Sequence, residues 1–217
     1  MGSEMCIRDR LLSLLAAFTM GSVGELGRGF VDDLLQADAS NLASALIGGV
    51  IFNLSNILLS ASVSIAGMSV AFPLGVGLAL VLGVFINYFN APQGSPVFLF
   101  LGVLLVIVAI VFNAWAYKNM GKGGEQQKTK GIVIAIVAGI MMSFFFRFIA
   151  SSMDLQNFEC PEVGKMTPYT AMVIFSIGIF TSNFIFNTAA MRRPFVGTST
   201  SYGDYFAGSF RLDAVGI

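Results

Sequence analysis

The sequence predicts an all-α, polytopic membrane protein with five complete spans, and three observations carry that prediction. Of 217 residues, 56% are hydrophobic and 11% charged, and the mean hydropathy is +0.81, well above a soluble domain of this length. From Ala39 to Tyr117 there is no Asp, Glu, Lys or Arg, a run that the remaining polar residues could not cover in a soluble fold. Apolar stretches then recur at roughly 20 residues each, the length needed to cross about 30 Å of hydrocarbon at 1.5 Å per residue.

Along the chain, the opening MGSEMCIRDR is polar and unlike the apolar sequence after it, so residues 1–10 read as non-native, similar to translated adaptor sequence. The rival, a secretory signal headed by Arg8 and Arg10, lacks a small-residue cleavage site before Glu25. Leu11 to Met20 is apolar but too short to cross. The spans lie at Leu42 to Ile65, Ser69 to Phe89, Val97 to Tyr117, Gly131 to Ala150 and Pro168 to Ala190, and Leu212 to Ile217 reads as the first turn of a further helix. Residues 11–117 are expected to be part of a first helical repeat, 118–130 a linker, and 131–217 the start of a second repeat.

Loop charges set the orientation. Loops Ala66 to Met68, Lys118 to Lys130 and Met191 to Arg211 hold seven Lys and Arg, against two in Gly21 to Asn41, Asn90 to Pro96 and Ser151 to Thr167. That bias places the Lys118 to Lys130 loop in the cytoplasm and the acidic loops outside.

Several function classes are excluded by what is missing. Net charge is zero and the basic residues sit in loops apart from Arg147, so no basic face suggests nucleic acid. Histidine is absent and Cys6 and Cys160 lie far apart, which leaves no metal set and no disulfide framework, and no cofactor is expected. No serine has a histidine to activate it and no aspartate pair lies within a span, so an enzyme is not expected. A coupling ion, proton or sodium, is left open, because none of the five spans contains a carboxylate.

The polar residues within the spans are the informative ones. Ala45, Gly49, Asn53, Asn56, Ser60 and Ser64 are spaced by three or four and fall on one helical face. Tyr169, Ser176, Asn183 and Asn187 share a face of the last span at steps of seven, seven and four. Amides in hydrocarbon must face another helix or a wet cavity. Asn53, Asn56, Ser60, Asn183 and Asn187 are therefore candidate contacts for a neutral polar solute, with interhelical hydrogen bonding as the alternative role. In the second span Ala71, Gly75, Ala79, Gly83 and Asn87 recur every four residues, a stripe that lets backbones approach closely. Gly75 and Gly83 are expected to pack helices, and Pro73 to mark a kink or hinge. Arg147 is placed near the outer interface, where it can snorkel, with Asp154 as a prospective partner.

These features predict a carrier of a small neutral polar solute, sugar or ureide-like, working by alternating access in the bilayer of a plasma or inner membrane. The alternative is a non-transporting scaffold whose polar faces are all interhelical contacts.

The stretch GGVIFNLSNILLSASVSIAGMSVAFPLGVGLALVLGVFINYF with its short NAPQGSP loop, then KMTPYTAMVIFSIGIFTSNFIFN, MRRPF and DYFAGS, resembles the glucose/ribose porter branch of the drug/metabolite transporter superfamily, whose relatives include rhamnose symporters and plant ureide permeases. The resemblance implies ten helices in two inverted halves with solute near the midplane. This chain would then hold the end of helix 2, helices 3 to 7 and the start of helix 8. It also implies that Asn53, Asn56, Asn183 and Asn187 match positions on cavity-facing helices. The SASVS segment is more hydroxylated than that pattern.

Overall fold

The computed structural model describes residues 12, 14–19, 28–90, 94–119, 125–157, 161–195, 197, 199 and 203. The first ten residues, expected to be non-native, and the expected helix start at Leu212 to Ile217 lie outside them. Residues 14–19 are helical. Among the described residues six helices come after: α1 (Phe30–Gln36), α2 (Ala39–Ala66), α3 (Met68–Asn90), α4 (Pro96–Asn119), α5 (Glu125–Ser152) and α6 (Pro168–Arg192). Among the described residues the one non-helical pairing is an isolated bridge between Met153 and Met166. Helices α2 to α6 are each long and apolar enough to cross a membrane, so the chain is an all-α, multi-pass membrane protein.

All five predicted spans are present, each a few residues longer than the hydrophobic pattern alone indicates. The largest extension is in α5, which begins at Glu125 inside the expected linker. The residues added, EQQKTK, are mostly good helix formers. Helix α1 lies in a stretch that the hydrophobic pattern assigns to a loop. Only seven residues long, it is below the length at which an isolated helix is stable, so it depends on its tertiary contacts.

Gly67 alone separates α2 from α3, at φ +85°. Its N–H donates to Val63 O at 2.9 Å and its carbonyl accepts from Ala71 N at 3.1 Å, so one residue both ends α2 and starts α3. A Cβ there would meet nothing within 4 Å, so the whole cost of Gly67→Ala is conformational. We expect it to lower stability by about 1 kcal/mol; an unchanged melting temperature for the purified protein would contradict the left-handed turn.

The chain divides into two compact units, residues 1–46 with 149–217, and residues 47–148. In the second, close backbone approach comes from glycine. A Cβ on Gly131 would lie 2.6 Å from Ala66 Cβ, one on Gly75 2.5 Å from Leu59 Cδ1, and one on Gly139 2.5 Å from Gly75 O. These three positions bring α2, α3 and α5 together, and the Phe52 and Phe145 rings meet at 4.9 Å beside them. Helix α4 packs on α3 through Phe100, which contacts Phe85 and Tyr88. Much of its remaining surface, including Leu101, Leu104, Leu105 and Phe112, is exposed, as suits a helix whose solvent is lipid. In the first unit, Ala45, Met166 and Ala171 form the buried cluster, flanked by Leu42, Met153 and Ile174.

Candidate functional site

Asn183 and Asn187 lie one turn apart on α6, and Asn187 Nδ2 donates to Asn183 Oδ1 at 3.0 Å. The bond uses one donor and one acceptor. What the pair keeps is the amide N–H2 of Asn183 and the carbonyl oxygen of Asn187, a donor and an acceptor on two half-buried residues one turn apart. The same face carries Tyr169, half-buried, and Ser176, whose Oγ returns to Met172 O at 2.8 Å. A serine satisfied within its own helix needs no other partner.

The other predicted residues belong to the second unit. Asn53 is buried at 7% exposure, Asn56 is half-buried and Ser60 exposed, so the predicted face of α2 runs from covered to open along its length. Asn56 Nδ2 donates to Phe52 O at 3.1 Å, leaving its carbonyl and one N–H for another group. Ser62, outside that face by its spacing, is fully buried and donates to Gly131 O at 2.8 Å. Its hydroxyl joins α2 to α5 where Gly131 lets the two backbones meet. The hydroxyl-rich SASVS segment therefore contains at least one interhelical contact.

On α3, Gly75 faces Leu59 and the Ala135 carbonyl, whereas a Cβ on Gly83 would meet nothing within 4 Å. Asn87 at the end of that stripe donates to Gly83 O at 2.8 Å. Pro73 is the sixth residue of α3, and the helix runs without a break through it. A proline so near a helix start removes only one early hydrogen bond. A groove of about 290 Å³ between α3 and α4 is lined by apolar side chains, among them Leu80, Val84, Phe98 and Val106, and offers nothing to orient a polar solute.

A polar cluster that sequence reasoning missed lies in the first unit. Asp33 on α1 is fully buried. Its Oδ2 accepts from Thr167 N at 2.8 Å and Thr167 Oγ1 at 2.9 Å, its Oδ1 accepts from Gln36 Nε2 at 3.2 Å, and Arg28 Nε stands 3.7 Å away. Thr167 is the N-cap of α6, with Pro168 at the first position, an arrangement visible in the sequence MTPYT. Gly164, at φ +91°, completes the cluster: its N–H donates to Gln36 Oε1 at 2.8 Å and its carbonyl accepts from Asn41 Nδ2 at 2.7 Å.

In the neighbouring loop, Asp154 accepts from the backbone N–H groups of Gln156, Asn157 and Glu162. The Gln156 bond first, then the others and the Lys165 charge, hold this carboxyl below the usual range against an opposing effect of desolvation. Asp154 thus shapes its own loop, while Arg147 is exposed near the end of α5. Among the described residues no group of His, Cys, Asp and Glu could hold a metal ion.

Comparison with known proteins points to one family. The family described as Ureide permease matches residues 3–128. Ureide permease 1 and Ureide permease 3 of Arabidopsis thaliana are each 22% identical to this chain over 91% of its length, and Ureide permease 4 of the same plant is equally similar. The chain spans 65% of the length of the first two and 66% of the third. No solved structure matches the chain.

Proposed function

The chain belongs to the ureide permease family, and from that premise we propose that the whole protein carries a small, neutral, ureide-like solute across a membrane by alternating access. The observation that carries this reading is the Asn183–Asn187 pair, two bonded amides on one face of α6 that still keep a donor on Asn183 and an acceptor on Asn187. An acylated urea presents the complementary edge, N–H beside C=O. Neutral amides replace the water of such a solute without burying a charge. Asn53, Asn56 and Ser60 are further candidate polar contacts on α2. Gly75, Gly83 and Pro73 lie in α3, where small residues and one missing hydrogen bond favour movement.

Within this proposal the protein is a branch of the drug/metabolite transporter superfamily with ten helices in two inverted halves. Its location is the plasma or inner membrane, with Lys118 to Lys130 as the cytoplasmic linker. The absence of Asp and Glu from all five spans favours a facilitator or a coupling group elsewhere in the protein. A sugar is the second solute class, since its hydroxyls suit the same amides. The scaffold reading draws support from Ser62, whose hydroxyl is spent on a neighbouring helix.

The test is Asn56→Leu in the complete protein. We expect uptake of a labelled ureide to fall about tenfold per copy in the membrane, the loss of roughly one hydrogen bond's worth of discrimination. Uptake and abundance falling together would instead assign the amide to helix packing.

A further inference from the structure

Asp33 is the one fully buried charged side chain among the described residues. Burial of a carboxylate is costly unless its oxygens are satisfied, and a chain keeps such a group where the partners it holds matter. Here the strongest partner is the cap of α6: both donors of Thr167, backbone and hydroxyl, converge on a single Asp33 oxygen. Thr167 Oγ1 in turn sits 3.1 Å from Thr170 Oγ1 and 3.4 Å from Thr170 N, in the first turn of α6.

An apolar helix among apolar neighbours is weakly held in rotation, because side-chain packing without directional bonds resists turning only through shape. Further along α6, the hydroxyls of Ser176 and Thr181 close back on their own helix, to Met172 O and Ile177 O, and fix nothing. Gly178 sets the distance of α6 from α2 at one point, near Leu46. The Asp33 bonds are directional, and they sit at the end of a stiff rod. A rotation of about 30° at a radius of about 5 Å moves a side-chain amide by about 2.5 Å, enough to break a hydrogen bond.

We infer that Asp33 is a positioning residue for the solute site, setting the rotation and depth of α6 and thereby the direction in which Asn183 and Asn187 present their remaining amide atoms. The inference rests on the transport reading above for its consequence, but the geometry of α6 can be read without it. The segment that holds Asp33 is itself anchored. Gln36 Nε2 donates to Lys165 O at 2.8 Å, Asp38 N donates to Gly164 O at 3.0 Å, and the Arg28 guanidinium donates to Pro161 O. A firm support on both sides of Asp33 is what a positioning contact requires.

The experiment uses the complete protein carrying Asp33→Ala or Asp33→Asn. In Asp33→Asn the new amide carbonyl would retain the acceptor for Thr167, so this variant separates the hydrogen bond from the charge. Two readouts are taken: KM and maximal rate per membrane copy for labelled allantoin, a cyclic ureide, and the thiol-labelling rates of single cysteines at Thr181, Phe184, Ile185 and Thr188 in a background without native cysteines. The expected result is a KM raised about tenfold in Asp33→Ala with maximal rate within about twofold, a labelling pattern rotated around α6, and both restored towards parental values in Asp33→Asn. Parental KM and parental labelling in Asp33→Ala, with abundance alone reduced, would overturn the inference and leave Asp33 a stability residue. No allantoin uptake by the parent protein would count against the transport reading only, since the labelling pattern still decides whether Asp33 orients α6.

Discussion

Asn183→Leu and Asn187→Leu in the complete protein are each expected to reduce uptake of a ureide at low concentration by about 10- to 100-fold, with membrane abundance close to parental. The size reflects what the pair does. Removing Asn187 deletes the acceptor offered to the solute and also the donor that orients Asn183. A site built to hydrogen-bond a polar solute then leaves solute groups unpaired, at about 1–3 kcal/mol for each. Removing Asn183 deletes the offered donor and frees Asn187 to turn. Leucine fills a similar volume and suits the bilayer, so the helix itself should persist. The two effects overlap because the amides act as a unit, and the double variant should fall well short of the product of the singles. Counting uptake per copy by surface labelling decides the matter. Unchanged uptake in both single variants would remove the pair from the solute path, and loss of protein in proportion to uptake would make it an intrahelical brace.

How far the sequence speaks depends on the reach of each interaction. The spans were legible because hydrocarbon imposes one strong rule, about 20 apolar residues, and α2 to α6 obey it to within a few positions except where EQQKTK extends α5. The Asn183–Asn187 contact was legible because both residues lie on one helix, four apart, where spacing fixes geometry. Asp33 was not, since its main partner is 134 residues away and an aspartate beside Asp32 in a polar stretch reads as a solvated loop. Only the capping pattern Thr167–Pro168 carried a local signal, and it announced a helix start without naming what would hold it. The glycines split in the same way. The four-residue stripe of α3 was visible, but it did not distinguish Gly75, tight against Leu59, from Gly83, which faces open space. Gly131 and Gly139 lie on a stripe of their own, Gly131, Ala135, Gly139 and Ser143 at steps of four on α5, but that spacing does not say which helix they meet. Gly178, four residues after Ile174, stands outside any such run, so its role appears only with the neighbour in place.

That difference between glycines produces the second large effect. Gly178→Val is expected to destabilise the protein severely, because a Cβ there would press into Leu46 O and stand 3.2 Å from Leu46 Cα. Those are backbone atoms of α2 and cannot swing aside as a side chain would, so the helices must separate or α6 must turn. Valine adds two further methyl groups and a restricted rotamer to that clash. The cost should reach about 3 kcal/mol or more, against which the intrinsic gain in helix propensity over glycine, under about 1 kcal/mol, cannot prevail. At Gly83 the same reasoning reverses sign. With nothing within 4 Å of the added carbon, Gly83→Ala gains helix propensity without a clash and should hold or slightly raise the melting temperature. Thermal unfolding of the two detergent-purified variants, followed by size-exclusion of the surviving fraction, separates these cases. If both variants melt with the parent, the approach of α6 to α2 at Leu46 is looser than the geometry requires, and Gly178 has no special place in the fold.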